Sequence, residues 1–294
     1  MKAAVLINRK AGPDITNPEA IKNEFKKYKY DLFIKEVSGE ELNAAVEEIL
    51  SQSPDIIVVS GGDGSISSVA ELIIDKNIPL GILPSGTYNH FAKDAGIPLS
   101  LKESVKIIAE SSPSKIDTGE VNGKIFINNS SVGLYPKAVK LREAILRKWG
   151  GTKWAAMFIA MITMFKRFPL FTVKVDTGNL ADSFITPFIF IGNNEYKFEM
   201  FNLGKRATFN GGKLFLYTAN VTSRFGILKM VFYNFINKLN QTKNFDLKVI
   251  EKVTLETKSK KVKVAIDGEI FNLTPPLNYK ILPKKLSVFI PQKK

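Results

Sequence analysis

Cysteine is missing from all 294 residues, and histidine occurs once, at position 90. Without cysteine there is no disulfide framework, no thiolate nucleophile and no cysteine-built metal site. A single histidine leaves no material for a His-rich metal centre and argues against a Ser-His-Asp triad. Acidic residues are scarce beside basic ones, 28 Asp plus Glu against 42 Lys plus Arg, a net charge of +14. That balance favours an anionic partner such as nucleic acid, nucleotide phosphates or an acidic membrane; the plainer reading is a solvated Lys-rich surface. Long apolar runs are missing too. The most apolar stretch, residues 154–165, has 12 residues, whereas a spanning helix needs roughly 20. The apolar run after Met1 is too short for a signal peptide, and no small-residue cleavage site follows it. The expectation is a cytoplasmic protein that touches the inner membrane surface.

What is present suffices for a core. Apolar residues make up 45% of the chain, and the length fits one large or two ordinary domains. The first third alternates short apolar runs with amphipathic ones. Residues 3–8, 32–37, 55–60 and 78–83 read as strands. Residues 17–28, 40–51 and 65–75 read as helices, the first capped by Asn17 with Pro18 at its first position. The run Ile56-Ile57-Val58-Val59 suits a strand buried on both faces. This order predicts a Rossmann-like, doubly wound parallel sheet with helices on both faces. Further on, residues 125–131, 170–176, 184–192, 213–220, 246–256 and 261–266 read as strands between turn signals, the pattern of an antiparallel β-sandwich. Two helical stretches, near 136–165 and 224–239, interrupt it. The expected division is 1–119 for the α/β part and 120–283 for the sandwich, with residues 284–294 returning to the first part.

Four segments carry chemistry. Gly61-Gly62-Asp63-Gly64-Ser65 lies between a buried strand and a helix, where glycines admit phosphate oxygens and the helix N-terminus offers free N–H groups. Asp63 would repel phosphate unless it held Mg²⁺, directly or through water, or oriented ribose hydroxyls; a plain turn role is the alternative. Ser85, Gly86, Thr87 and Asn89 follow the next strand, so their loop falls beside the first at one sheet edge. Asn8 and Gly12, with Arg9 and Lys10, follow the first strand. Asp267-Gly268-Glu269 is either a hairpin turn or a carboxylate pair, one member of which takes a proton from an attacking hydroxyl.

Together these segments resemble the diacylglycerol kinase catalytic-domain family, which includes bacterial diacylglycerol, sphingosine and ceramide kinase relatives. The Gly-Gly-Asp-Gly-Ser loop at 61–65 and the Asp-Gly-Glu at 267–269 are intact. The first loop keeps Asn8 and Gly12, with Arg9 where proline is usual. The third survives as Gly86-Thr87-Tyr88-Asn89-His90-Phe91-Ala92. The resemblance implies an ATP- and Mg²⁺-dependent lipid kinase with its nucleotide site between an α/β domain and a sandwich, diacylglycerol being the expected acceptor. It implies Glu269 as general base with Asp267 beside it, Asp63 in the nucleotide–Mg²⁺ arrangement, and Asp117 in the same metal–water network. Two departures stand out. His90 replaces the family's acidic residue, which Asp94, one helical turn on, could partly replace. Asn210-Gly211-Gly212-Lys213-Leu214 stands where relatives have Asp-Gly-x-Leu and some hold a structural metal.

A lipid acceptor suits residues 154–165, uncharged and flanked by Lys148, Lys153, Lys166 and Arg167, and the apolar residues of 224–239. Both stretches could equally pack in the core. Nucleic acid is disfavoured, since no nucleic-acid-binding fold or basic-aromatic platform is visible. A homodimer is compatible with a chain of this kind. The competing readings are a soluble-substrate kinase of the NAD kinase type, which shares the Gly-Gly-Asp-Gly loop, and a lipid- or nucleotide-binding relative without catalysis, motivated by His90.

Overall fold

A computed structural model describes residues 1–9, 17–133, 171–176, 181–199, 202–219 and 245–291. Its first part is built from β1 (Lys2–Asn8), α1 (Pro18–Lys26), β2 (Asp31–Val37), α2 (Leu42–Ser51), β3 (Ile56–Gly61), α3 (Asp63–Ile73) and β4 (Leu80–Pro84). The four strands run parallel in the order β2-β1-β3-β4, with Ala3 beside Ile56 and Ile57 beside Leu80. Every residue of β3 is buried, as a strand covered on both faces requires. Apolar residues of α2 and α3 cover one face and those of α1 and α5 (Leu101–Glu110) the other.

Local chemistry sets the helix ends. Asn17 accepts the N–H groups of Glu19 at 3.0 Å and Ala20 at 3.3 Å, and Pro18 opens α1. The helix stops at Lys26, two residues before the expected end, and Lys29 turns the chain at φ 60°. The third helix begins at Asp63 rather than at Ser65, so Gly64 and Ser65 lie in its first turn. Two helices absent from the sequence reading follow β4: the short α4 (His90–Ala95) and α5.

The remaining strands are β5 (Ser114–Val121), β6 (Lys124–Phe126), β7 (Asn129–Gly133), β8 (Phe171–Asp176), β9 (Ala181–Thr186), β10 (Phe188–Asn193), β11 (Tyr196–Glu199), β12 (Asn202–Arg206), β13 (Leu214–Ala219), β14 (Phe245–Ile250), β15 (Lys252–Thr257), β16 (Val262–Ile266), β17 (Glu269–Leu273) and β18 (Leu277–Val288). The parallel sheet does not stop at β4. Val288 of β18 pairs with Leu80, and the sheet continues through β18, β15, β8 and β9, with β5 also on β18. The boundary drawn at 119 thus falls inside β5, within one continuous sheet. A second sheet, antiparallel, has the order β14-β13-β10-β7-β16-β17. It packs on the antiparallel part of the first sheet around Val121, Phe126, Val175, Leu255, Leu277 and Tyr279 from one side and Val132, Ile191, Leu216 and Val264 from the other. The architecture is a doubly wound α/β part joined to an antiparallel sandwich.

Three predicted strands are each two strands. Residues 125–131 break between β6 and β7, because the N–H groups of Ile127, Asn128 and Asn129 bond a carboxylate instead of a neighbouring strand. Residues 184–192 break at Pro187, which cannot donate to a ladder, and the chain passes from the first sheet to the second. Residues 246–256 break at Glu251, whose carbonyl accepts the Ile281 N–H at 2.8 Å. The expected helices near 136–165 and 224–239 lie outside the described residues, as does Gly12.

Candidate active site

Strands β1, β2, β3 and β4 end at the same edge of the parallel sheet, where open α/β sheets bind ligands. After β3, Gly62 is extended and caps α3. After β4, the Ser85 N–H bonds the Gly61 carbonyl at 3.1 Å, drawing the two loops together. Contact is closest between Gly62 and Gly86: a Cβ on Gly86 would lie 2.3 Å from the Gly62 Cα. No side chain fits at that crossing. Asn89, at φ 51°, closes the second loop on itself by accepting the Gly86 N–H at 2.9 Å and donating to the Gly86 carbonyl at 2.8 Å. The first loop joins through Asn8, whose Nδ2 donates to Ser65 Oγ at 2.8 Å.

Together these elements shape a cleft of about 290 Å³ lined by Asn8, Gly39, Leu42, Gly62, Gly64, Ser65, Ser68, Gly86 and Glu269. Five predicted nucleotide-loop residues therefore meet there, and the sandwich contributes a sixth predicted residue, Glu269. Ser68 stands one helical turn after Gly64, and helical spacing alone points to it. Gly39 and Leu42 follow β2, whose loop must share the same edge.

Asp267 and Gly268 form the two-residue turn between β16 and β17, at φ 46° and 90°. The Asp267 carboxylate accepts four bonds: Asn128 N–H at 2.8 Å and Asn129 N–H at 3.0 Å on Oδ1, Ile127 N–H at 2.8 Å and Ser67 Oγ at 2.7 Å on Oδ2. Burial pushes this carboxyl above its ordinary value and the four donors pull it part of the way back. Asp267 thus ties the turn and residues 127–129 to α3, and it is not among the cleft-lining residues. Two positions on, Glu269 is exposed, and a Cβ on Gly64 would lie 3.0 Å from its Oε1. Although the residue as a whole is exposed, partial loss of water around its carboxyl first, then the neighbouring carboxylates of Asp267 and Glu71, push the Glu269 carboxyl up; Lys124 opposes them.

The other predicted residues have different surroundings. The two oxygens of Asp63 accept the N–H groups of His90 and Phe91, each at 3.0 Å, so Asp63 caps α4 from the start of α3. Thr87 and His90 are exposed and Ser85 is buried. The rings of Tyr88 and His90 stack at 5.5 Å. Asp117 is fully buried and accepts from Lys284 N–H at 2.8 Å, Gly212 N–H at 2.6 Å and Asn194 Nδ2 at 3.1 Å, joining β5, the 207–213 loop and β18. Among the described residues, no three of His, Asp and Glu gather as a metal group. Mg²⁺ commonly takes one or two carboxylates together with substrate phosphate oxygens. Asp63, part-exposed with one N–H on each oxygen, fits that sparse arrangement. Asp117, fully buried with three donors on its two oxygens, does not.

One buried cation escaped the sequence reading. Arg206 donates to the Ile127 carbonyl at 2.8 Å, Asn128 Oδ1 at 2.7 Å and the Tyr196 hydroxyl at 2.8 Å, and its guanidinium lies 4.5 Å from the centre of the Phe209 ring. Nothing in the spacing around position 206 marks it.

A parallel sheet whose glycine loops interlock at one edge, continuous with a sandwich that delivers a carboxylate into the same cleft, defines a two-part α/β-plus-β protein with a composite site. Residues 2–121 match the family model of the diacylglycerol kinase catalytic domain, so this part of the chain is similar to that family. It is 34% identical over 139 residues to the diacylglycerol kinase of Staphylococcus saprophyticus, covering 42% of this chain and 46% of that protein. It is 27% identical over 255 residues to the uncharacterized protein sll0036 of Synechocystis, covering 85% of this chain and 58% of that protein. The chain thus spans about half the length of these relatives. Its fold matches the crystal structure of a diacylglycerol kinase from Bacillus anthracis with a TM-score of 0.70 at 19% identity, covering 99% of this chain and 97% of the other. A second structure from that organism gives 0.74 at 22%, with the same coverage. At these identities the likeness is one of fold.

Proposed function

We propose that this chain is an ATP-dependent lipid kinase whose acceptor is diacylglycerol and whose product is phosphatidic acid. The observation that carries the reading is the placement of the Glu269 carboxylate against Gly64, in the cleft formed by the glycine loops. Phosphoryl transfer asks a protein mainly to position, to stabilise charge and to accept one proton. The N–H groups in the first turn of α3, with Asn8 and Ser65, suit the phosphate oxygens of a nucleotide. Mg²⁺, when bound with the nucleotide, neutralises charge on the phosphates, and Asp63 is the residue that would hold it. Glu269 accepts the proton of the lipid hydroxyl while that oxygen bonds the γ-phosphorus and the bond to the ADP oxygen breaks. A proton acceptor works unprotonated. Activity is therefore lost as pH falls through the raised Glu269 value, above the ordinary carboxylate range of about 4.

The net charge of +14 supports encounter with an anionic membrane surface, each Lys or Arg near such a leaflet contributing about 1 kcal/mol. Among the described residues, no helix is long and apolar enough to cross a membrane. The test is incubation with labelled ATP, Mg²⁺ and mixed micelles containing diacylglycerol or other lipid alcohols. Labelled phosphatidic acid supports the reading. Transfer to NAD supports a soluble-substrate kinase, and no lipid product with any acceptor sinks the lipid reading. His90 favours one second reading, a nucleotide- or lipid-binding relative without turnover, which predicts nucleotide affinity and no product.

A further inference from the structure

One face of α3 runs along the β16–β17 hairpin at helical spacing: Gly64 beside Glu269, Ser67 bonded to Asp267, and Glu71 one turn further on. Glu71 is paired with Lys124 of β6, Nζ to Oε1 at 3.1 Å. The Lys124 ammonium also stands 5.5 Å from the centre of the Phe271 ring. Phe271 lies two residues after Glu269 on β17, on the same side of the strand. The charged groups that act on Glu269 are Asp267 from the turn, Glu71 from α3 and Lys124 from β6. Around Glu269, two carboxylates are therefore opposed by one ammonium, which an ion pair and an aromatic ring hold in place.

We propose that Lys124, through its pair with Glu71, is a positioning residue that keeps Glu269 free to accept a proton. The proposal rests on the reading of Glu269 as the proton acceptor. Without Lys124, Glu71 is uncompensated and Glu269 meets the carboxylates of Asp267 and Glu71 with no cation opposing them. Glu269, the exposed member, relieves that repulsion by taking up a proton, because Asp267 is already bonded by four donors. Without Glu71, one carboxylate fewer acts on Glu269 and the unpaired ammonium favours its ionised form. The two substitutions therefore act in opposite directions, whereas two merely structural losses would act alike.

The experiment titrates the Glu269 side-chain carboxyl by ¹³C NMR in the full chain without substrates, with Glu269→Gln identifying the signal. Lys124→Gln is expected to raise the midpoint by about half a pH unit and Glu71→Gln to lower it by about as much, as expected for partly solvated charges nearby. Lys124→Arg is expected to restore the wild-type value. The acid limb of kcat/KM in the micelle assay is expected to move the same way. Midpoints that stay put while activity or melting temperature falls overturn the proposal. Midpoints that move while the wild-type protein phosphorylates no lipid count against the kinase reading alone.

Discussion

At the scale of single residues, the site depends on which atoms are absent as much as on which are present. The crossing of Gly62 and Gly86 is backbone against backbone, so neither side can yield as a flexible side chain would. Gly86→Ala is expected to cost about 1–3 kcal/mol, as overpacking does. It should also weaken nucleotide binding, because Gly62 lines the cleft; calorimetric melting and nucleotide titration would check both effects. Glu269→Gln keeps the shape of the side chain and removes the proton acceptor. It is expected to lower kcat about 10²–10⁴-fold, the usual contribution of a positioned acid or base, with an unchanged melting temperature. A loss smaller than tenfold would take Glu269 out of that role. Residue types were legible in the sequence here; partners were not. The motif places Asn89 and Asp63 at the ligand edge but does not show that Asn89 also closes its own loop or that Asp63 also binds two backbone N–H groups. Nothing in a motif tells a carboxylate which N–H groups a fold will bring to it.

At the scale of elements, Asp267 replaces a piece of sheet. The three N–H groups it accepts belong to residues that the sequence reads as strand interior, and binding them divides one strand into β6 and β7. Asp267→Asn puts an amide NH₂ where an oxygen stood. Turned toward Oδ1 it opposes the Asn128 and Asn129 N–H groups; turned toward Oδ2 it opposes that of Ile127, and only the Ser67 hydroxyl can rotate to accept. At least one buried donor is left without a partner in either case, at a cost of about 1–3 kcal/mol. Denaturant unfolding of the variant would measure it. The parallel strands were legible because short apolar runs alternate with amphipathic helical stretches, β3 most clearly through Ile56-Ile57-Val58-Val59. The strands that change sheets were not, because a run such as 246–256 has the right pattern on both sides of Glu251 and only the sandwich decides where it bends. Pro187 carries a signal, its missing donor, but residues 184–192 read as one strand across it.

At the scale of the whole molecule, the sheet shared by the two parts makes them one cooperative unit. Strand β18 lies against β4, β5 and β15, and the Asp117 carboxylate accepts from Lys284, 167 residues away. Residues 1–122 expressed alone would leave the edge of β4 without β18 and Asp117 buried without three of its donors. That fragment is expected to show no cooperative unfolding transition, whereas the full chain shows a single one; circular dichroism melts of both would decide. Two independent transitions in the full chain would contradict it.

That same strand imposes an order in time. Synthesis proceeds from the N-terminus, so β4 and β5 leave the ribosome long before β18 exists to pair with them. Pairings so distant along the chain are slow to form. Until then the open edge of a nearly complete parallel sheet offers its hydrogen-bonding groups to any passing strand. A cell that makes this protein must shelter that edge for as long as translating those intervening residues takes.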